Sequence, residues 1–207
     1  MEKKLIVSSV KRVHGRADLI LSNGEVLSMP RSMLKERPYR GGMPFDRQLF
    51  DVFIQERSYA FGLEKAIALL ASRARTEKEI VDCLKKNAYP EAAIARIMAR
   101  LQEAGYIDDA DFAEQWTAAR ISKGLGARRI RMELLQKGVS QEDIDETLSA
   151  VNEKDMMASA LKAAQKAARG KDLSTIAARQ KIIVSLVRHG FDFSTARTAL
   201  NELMKSI

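Results

Sequence analysis

The sequence predicts a mainly α-helical protein, with three tandem three-helix repeats in an elongated curved array behind a small antiparallel β segment. Three observations predict it. A five-position apolar ladder occurs three times along the chain with identical internal spacing. Ala, Leu, Lys, Arg and Glu dominate while aromatics reach only 6%, a composition that favours helix. Only the first thirty residues depart from that pattern, with β-branched runs around an Asn-Gly pair.

Residues 1–40 read as the β segment. "KLIVSSVKRV" is β-branched, and in "ADLILSNGEVLSM" Asn23-Gly24 separates two alternating runs. Asn-Gly tolerates positive φ at both central turn positions, which makes it a strong hairpin signal. "ERPYRGGMPF", residues 36–45, is a linker by its Pro and Gly content. Asp46 is placed to cap a helix beginning at Arg47, so 41–62 reads as linker and connecting helix.

From residue 63 the ladders set the organisation. Ile80, Leu84, Tyr89, Ile94 and Met98 are matched by Ile130, Leu134, Val139, Ile144 and Leu148, then by Ile182, Leu186, Phe191, Ala196 and Leu200. A four-residue step, a five-residue step through a corner and two more steps describe two helices joined by a short turn. Each ladder follows a further helical segment, near 63–73, 110–123 and 154–169, with Trp116 facing inward in the second. The repeats are therefore 63–107, 108–152 and 153–207.

Punctuation agrees. Thr76-x-x-Glu79 and Ser140-x-x-Asp143 have capping-box spacing, and Pro90 suits a first helical turn. Gly105, Gly124, Gly138, Gly170 and Gly190 fall where helices should stop.

Composition limits the function classes. With 46% hydrophobic and 30% charged residues the chain of 207 is a folded one, and its single Cys83 excludes an internal disulfide. The apolar run in "MEKKLIVSSVKRVHG" is too short for a signal peptide, and no later run is long enough to span a membrane. A cytoplasmic location is the expectation. The net charge of +8 is uneven: +4 over 1–62, +2 over 63–107, −3 over 108–152 and +5 over 153–207. That balance admits a polyanionic partner without naming one.

The stretch "KGLGARRIRMELLQKG", 123–138, concentrates the basic charge. It is not a dinucleotide fingerprint, because Arg129 stands where the third Gly belongs and a helix precedes it, and no Gly-Lys-Ser/Thr makes a P-loop. Gly124 ends one helix and Gly126 opens the next. At about 100° per residue, Arg128 lies roughly 200° from Ile130 and faces solvent, flanked by Arg129 and Arg131. Arg120 and Lys123 on the preceding helix add two cations, and no acid stands between Arg120 and Glu133.

No metal site is expected. Asp108, Asp109 and Asp111 precede a helix, where capping and the positive helix end account for them. Nor is catalysis, because His14 and His189 lie far apart in sequence, Cys83 has no evident base, and no Ser/His/Asp set, Cys pair or HExxH occurs. No cofactor motif is present. Phe112, Trp116 and Phe191 fall on inward positions, while Tyr39, Phe45 and Phe50 near the linker read as exposed.

"GYIDDADFAEQWTAARISKGLGARRIRMELLQKGV", 105–139, closely resembles the central motif of the RecX family, regulators of the recombinase RecA. The motif's positions are met by Gly105, Tyr106, Asp108, Asp109, Phe112, Ala113, Arg120, Lys123, Gly124, Gly126, Arg129, Ile130, Glu133, Leu134, Lys137 and Gly138. "AIALLASRARTEKEIVDCLKKNAY" is similar to the family's first repeat, Ala127 replaces a common Pro or Ser, and the third repeat matches mainly by its ladder.

The resemblance implies a monomeric, cytoplasmic, non-enzymatic protein that lies in the groove of the RecA–single-stranded DNA filament. There it modulates, mostly by inhibition, strand exchange, ATP hydrolysis and coprotease activity in DNA repair and the SOS response. It implies no cofactor and no membrane partner, with duplex DNA bound more weakly. Arg120, Lys123, Arg128, Arg129 and Arg131 are the expected filament-facing residues. Arg73, Arg75 and Lys78 in the first repeat and Arg179, Lys181 and Arg188 in the third are weaker candidates. The rival reading is a helical regulator of duplex DNA; against it, the Asn/Gln/Arg recognition pattern does not recur.

Overall fold

The structure, a computed structural model, describes residues 5–206. It divides into two compact units, Met1–Asp108 and Asp109–Ile207.

In the first unit, β1 (Val7–Val13), β2 (Arg16–Leu21) and β3 (Val26–Pro30) form an antiparallel sheet in the order β1-β2-β3. Val13 pairs with Arg16, so the tight two-residue turn is His14-Gly15 rather than the Asn-Gly pair. Asn23-Gly24 does join β2 to β3, but only Gly24 has positive φ, and the Asn23 Oδ1 instead accepts the Glu25 N–H. A 3-10 turn, Arg31–Lys35, follows. The Pro/Gly-rich 36–45 segment is not a loose linker. Met43 O accepts from Val7 N–H, and Gly42 and Phe45 donate to Val7 O and Leu5 O, so the chain lies back along β1.

That return buries Tyr39, Phe45 and Phe50, at 5, 7 and 5% exposure, as a cluster of tilted rings against Leu19, Met29 and Met33. The expected exposure of these three rings is therefore wrong. The sheet has an apolar face to cover, and these rings cover it.

Asp46 caps α1 (Arg47–Ser72) by accepting from Leu49 N–H. This one helix serves two cores. Phe50 packs on the sheet, whereas Ala66 packs with α2 (Glu77–Lys86) and α3 (Glu91–Glu103). At Gly62 an added Cβ would meet Ile97 Cδ1 at 2.5 Å and the Tyr89 ring at 3.2 Å, which is why the helix has no side chain there. Thr76 caps α2 as its spacing predicts, while Pro90 sits one residue outside α3, at its cap.

The second unit contains α4 (Asp109–Ile121), α5 (Ala127–Lys137), α6 (Gln141–Ser149), α7 (Glu153–Ala168), α8 (Ile176–Arg188) and α9 (Phe193–Lys205). Fourteen of the fifteen ladder residues are buried, and Leu148 is half-buried. The corners repeat in detail. Tyr89, Val139 and Phe191 each donate their N–H at 3.2 Å to the carbonyl five residues back, on Leu84, Leu134 and Leu186. The residue before each is left-handed: Gly138 at φ 89°, Gly190 at 95° and, unexpectedly, Ala88 at 61°. This is the glycine-type helix stop, made once without glycine.

Candidate interface on the second and third repeats

Residues 122–126 turn the chain from α4 into α5, and the third repeat holds them. Gly124 is left-handed (φ 81°), and a Cβ there would lie 3.5 Å from that of Ala163 on α7. The Ser159 hydroxyl, buried on α7, lies 2.9 Å from Ile121 O and 3.1 Å from Leu125 O. Lys162 donates to Ser122 O at 2.6 Å.

Gly126 is tighter still, since a Cβ would stand 2.4 Å from the backbone of Gly190 and Phe191. Its N–H donates to His189 O (2.9 Å), and that of Arg128 donates to Gly190 O (3.1 Å). α5 has no side-chain cap; one donor of its first turn, the Arg128 N–H, is satisfied by the Gly190 carbonyl from the corner of the third repeat. These glycines permit a backbone-to-backbone joint, and the joint occupies the helix end that could otherwise receive a phosphate.

The expected cations divide around one carboxylate. Glu133, with 17% of its side chain exposed, accepts from Arg120 Nε (2.6 Å), Arg129 Nε (3.2 Å) and Trp116 Nε1 (3.2 Å). Burial pushes the Glu133 carboxyl upward, but hydrogen bonds from Arg120 and Arg129 outweigh it and hold the group below the usual carboxylate range. Phe112 and Trp116 stack at 5.6 Å, with the Arg120 guanidinium 3.8 Å and the Lys137 ammonium 4.2 Å from the indole centroid. Arg131 pairs with Asp145 at 2.5 Å. Lys123 and Arg128 are exposed and make no ion pair among the described residues.

Beyond Arg128, the outward face of α5 is apolar: Met132 and Leu135, one and two turns on, are 54 and 44% exposed. At the matching positions α8 exposes Val184 and Val187. Lys181 and Arg188 are exposed beside Val184, lining a shallow concavity of about 700 Å³ with Gln180 and His189. Because Arg128 is bonded to Gly190, the basic end of α5 adjoins Arg188 and His189.

Of the remaining expected residues, Arg179, Arg73 and Arg75 are more committed to the fold. Arg179 donates to Leu173 O and Ser174 O, both at 2.7 Å. In the first unit Arg73 pairs with Glu79 at 2.9 Å, Arg75 Nε donates to Leu69 O at 3.1 Å, and Lys78 is exposed on α2.

Sequence reading missed Glu133 as the partner of two arginines, the cations over Trp116, and Met132 and Leu135. The i, i+4 spacing of Arg129 and Glu133 was the available signal for the first. Steps of four and three residues from Arg128 to Met132 to Leu135 were the signal for the last.

Comparisons with known proteins agree with this architecture. The model for the first three-helix domain of RecX matches residues 63–101, and that for the second matches 108–148. The regulatory protein RecX of Bacillus licheniformis is 32% identical over 202 residues, covering 95% of this chain and 75% of its own length. That of Chlorobium phaeobacteroides is 37% identical over 145 residues, 68% of this chain and 92% of its own. The Listeria monocytogenes relative is 36% identical over 148 residues, and the match spans about half (55%) of its length. A crystal structure of regulatory protein RecX superposes with a TM-score of 0.64 at 24% identity, covering 96% of this chain and 99% of that one.

Proposed function

We propose, from the premise that the chain belongs to the RecX family, that it binds the RecA–single-stranded DNA filament through the outer faces of α5 and α8. Bound there, it modulates, and mostly inhibits, recombinase, ATPase and coprotease activity without chemistry of its own. The observation that carries this reading is the composition of that face. Cations at Lys123, Arg128, Lys181 and Arg188, which make no ion pair among the described residues, border exposed Met132, Leu135, Val184 and Val187. A bare nucleic acid asks for cations alone, whereas a nucleoprotein presents both phosphate and apolar protein surface. The partners are accordingly the recombinase and the single strand within its filament, with duplex DNA bound weakly and no cofactor.

A duplex reader fits less well. In the α5–α6 pair the second helix would enter the major groove, and α6 carries Glu142, Asp143, Asp145 and Glu146. Phosphates would repel it.

The test is Lys123→Glu with Arg128→Glu, followed by recombinase ATPase on single-stranded DNA. Both side chains are exposed and outside the ion-pair network, so the variant keeps its fold. Half-inhibition is expected to need at least about tenfold more protein, or about 1.4 kcal/mol of binding. Unchanged inhibition by the folded variant refutes this interface.

A further inference from the structure

The first unit holds a basic cleft that the filament reading does not use. It is a concavity of about 630 Å³ bordered by His14 from the β1–β2 turn, Arg31 and Lys35 from the 3-10 turn and Lys65 from α1, with Phe61, Leu34 and Tyr89 as its apolar wall. Glu64 is the one acid among its lining residues.

The cleft is rigidly built. Gly15 packs so closely on the α2 cap residue that a Cβ would fall 1.2 Å from Asn87 Oδ1, and Asn87 Nδ2 in turn donates to Cys83 O at 2.5 Å. Arg31 N–H donates to Gly15 O at 2.8 Å, which ties the sheet's turn to the 3-10 segment. The Tyr89 hydroxyl lies 3.3 Å from Ser32 Oγ and from Phe61 O, closing the floor. Two non-glycine residues hold left-handed backbone at this junction, His14 (φ 45°) and Ala88 (φ 61°). The first is set by the tight turn of the sheet and the second by the α2 stop, so the packing of the two corners fixes the shape of the cleft.

Charge sharpens the case. In the second repeat Arg120, Arg129 and Arg131 are answered by carboxylates of the same fold. Around this cleft Arg31, Lys35 and Lys65 form no ion pair among the described residues, and the Arg31 guanidinium makes there only a 3.5 Å contact to His14 O. Like charges gathered at a concavity repel one another, and an anion relieves that repulsion. The volume far exceeds one inorganic phosphate, and the apolar wall gives such an ion nothing to bind.

We propose that this cleft is a nucleotide site for single-stranded nucleic acid, with Arg31, Lys35 and Lys65 on the phosphate and an unstacked base against Phe61 and Leu34. A duplex keeps its bases stacked and cannot offer one to a recessed wall, so the single strand is the form recognised. The site is independent of the recombinase and adds a contact to the chain's own grip on a strand.

The experiment measures anisotropy of labelled oligo(dT) with the full chain and no recombinase, comparing wild type with Lys35→Glu/Lys65→Glu and with the milder Lys35→Gln/Lys65→Gln. Helical circular dichroism verifies that each is folded. Both variants are expected to bind more weakly. In the milder pair the slope of log affinity against log salt falls by up to about 0.7, the contribution of the one single-strand phosphate the site holds. Deoxythymidine monophosphate is expected to compete at high concentration and inorganic phosphate is not. Photo-cross-linking from a bromodeoxyuridine oligonucleotide is expected to mark peptides carrying Phe61 or Tyr89. Wild-type affinity and slope in both folded pairs overturns the proposal, as does competition by inorganic phosphate equal to that of the mononucleotide. Because the recombinase is absent, these outcomes are separate from those of the Lys123/Arg128 test.

Discussion

Replacing Gly126 by Ala tests whether the second and third repeats are held by a backbone joint. Gly126 has φ −91°, a conformation any residue adopts, so the added methyl brings no left-handed strain. Its cost is contact. A Cβ 2.4 Å from Gly190 C and Phe191 N faces backbone on both counts, which cannot rotate away as a side chain can. The corner of the third repeat must retreat, and with it go the hydrogen bonds from Gly126 to His189 and from Arg128 to Gly190.

Two such bonds are worth about 2 kcal/mol together, and residual overpacking adds about 1 kcal/mol or more. The expected loss is about 3 kcal/mol, read from guanidinium unfolding, with faster amide exchange at Arg128. Gly170→Ala is the control. Gly170 is left-handed at φ 69° with nothing within 4 Å of its added Cβ, so strain alone acts and the cost is about 1 kcal/mol. A Gly126→Ala protein that unfolds at the wild-type midpoint, with Arg128 still protected, would refute the joint.

Ala88→Gly is expected to stabilise the chain by about 0.5–1 kcal/mol, because Ala88 occupies the left-handed stop that Gly138 and Gly190 fill elsewhere; a raised melting temperature checks it. Ser159→Ala removes the hydroxyl shared by Ile121 O and Leu125 O and is expected to cost about 1 kcal/mol in the same unfolding assay. Glu133 has its carboxyl lowered in the fold, so its contribution is fully present above the ordinary value of 4.5 and is lost as pH falls through the lower folded value. Trp116, the single tryptophan, donates to Glu133, and its emission is expected to change in that acid window and not in Glu133→Gln.

The repeats were legible because burial is periodic and the period survives in the residue types. Ile130 and Ile182 need not share neighbours to show that each faces a core. Caps were legible for a similar reason, since Asp46, Thr76 and Ser140 act within a few residues of their own position. What escaped was long-range. Nothing beside Tyr39 in the chain reveals that 36–45 returns along β1, and only pairing with Val7 decides it. Glu133 lies 13 residues from Arg120, so its role depends on how α4 packs on α5. Ala88 was invisible because the local rule for a left-handed stop names glycine, and tertiary packing overrode it.

The ion pairs also decide which substitutions can report on the interface. Arg129→Glu would set a second carboxylate beside Glu133, which is already half-buried and held ionised by its cations. Loss of activity in that variant would then mix a damaged α4–α5 contact with a missing filament contact. Arg131→Glu raises the same difficulty at Asp145. Arg128→Gln and Arg129→Gln separate the two effects. The first is expected to leave stability within about 0.5 kcal/mol of wild type while weakening inhibition, as an exposed unpaired charge should. The second is expected to lose up to about 1 kcal/mol of stability, the range for a partly exposed pair. Equal losses of inhibition at equal stability would mean that Arg129 leaves Glu133 to reach the partner, and the pair would then be a contact held in reserve rather than part of the scaffold.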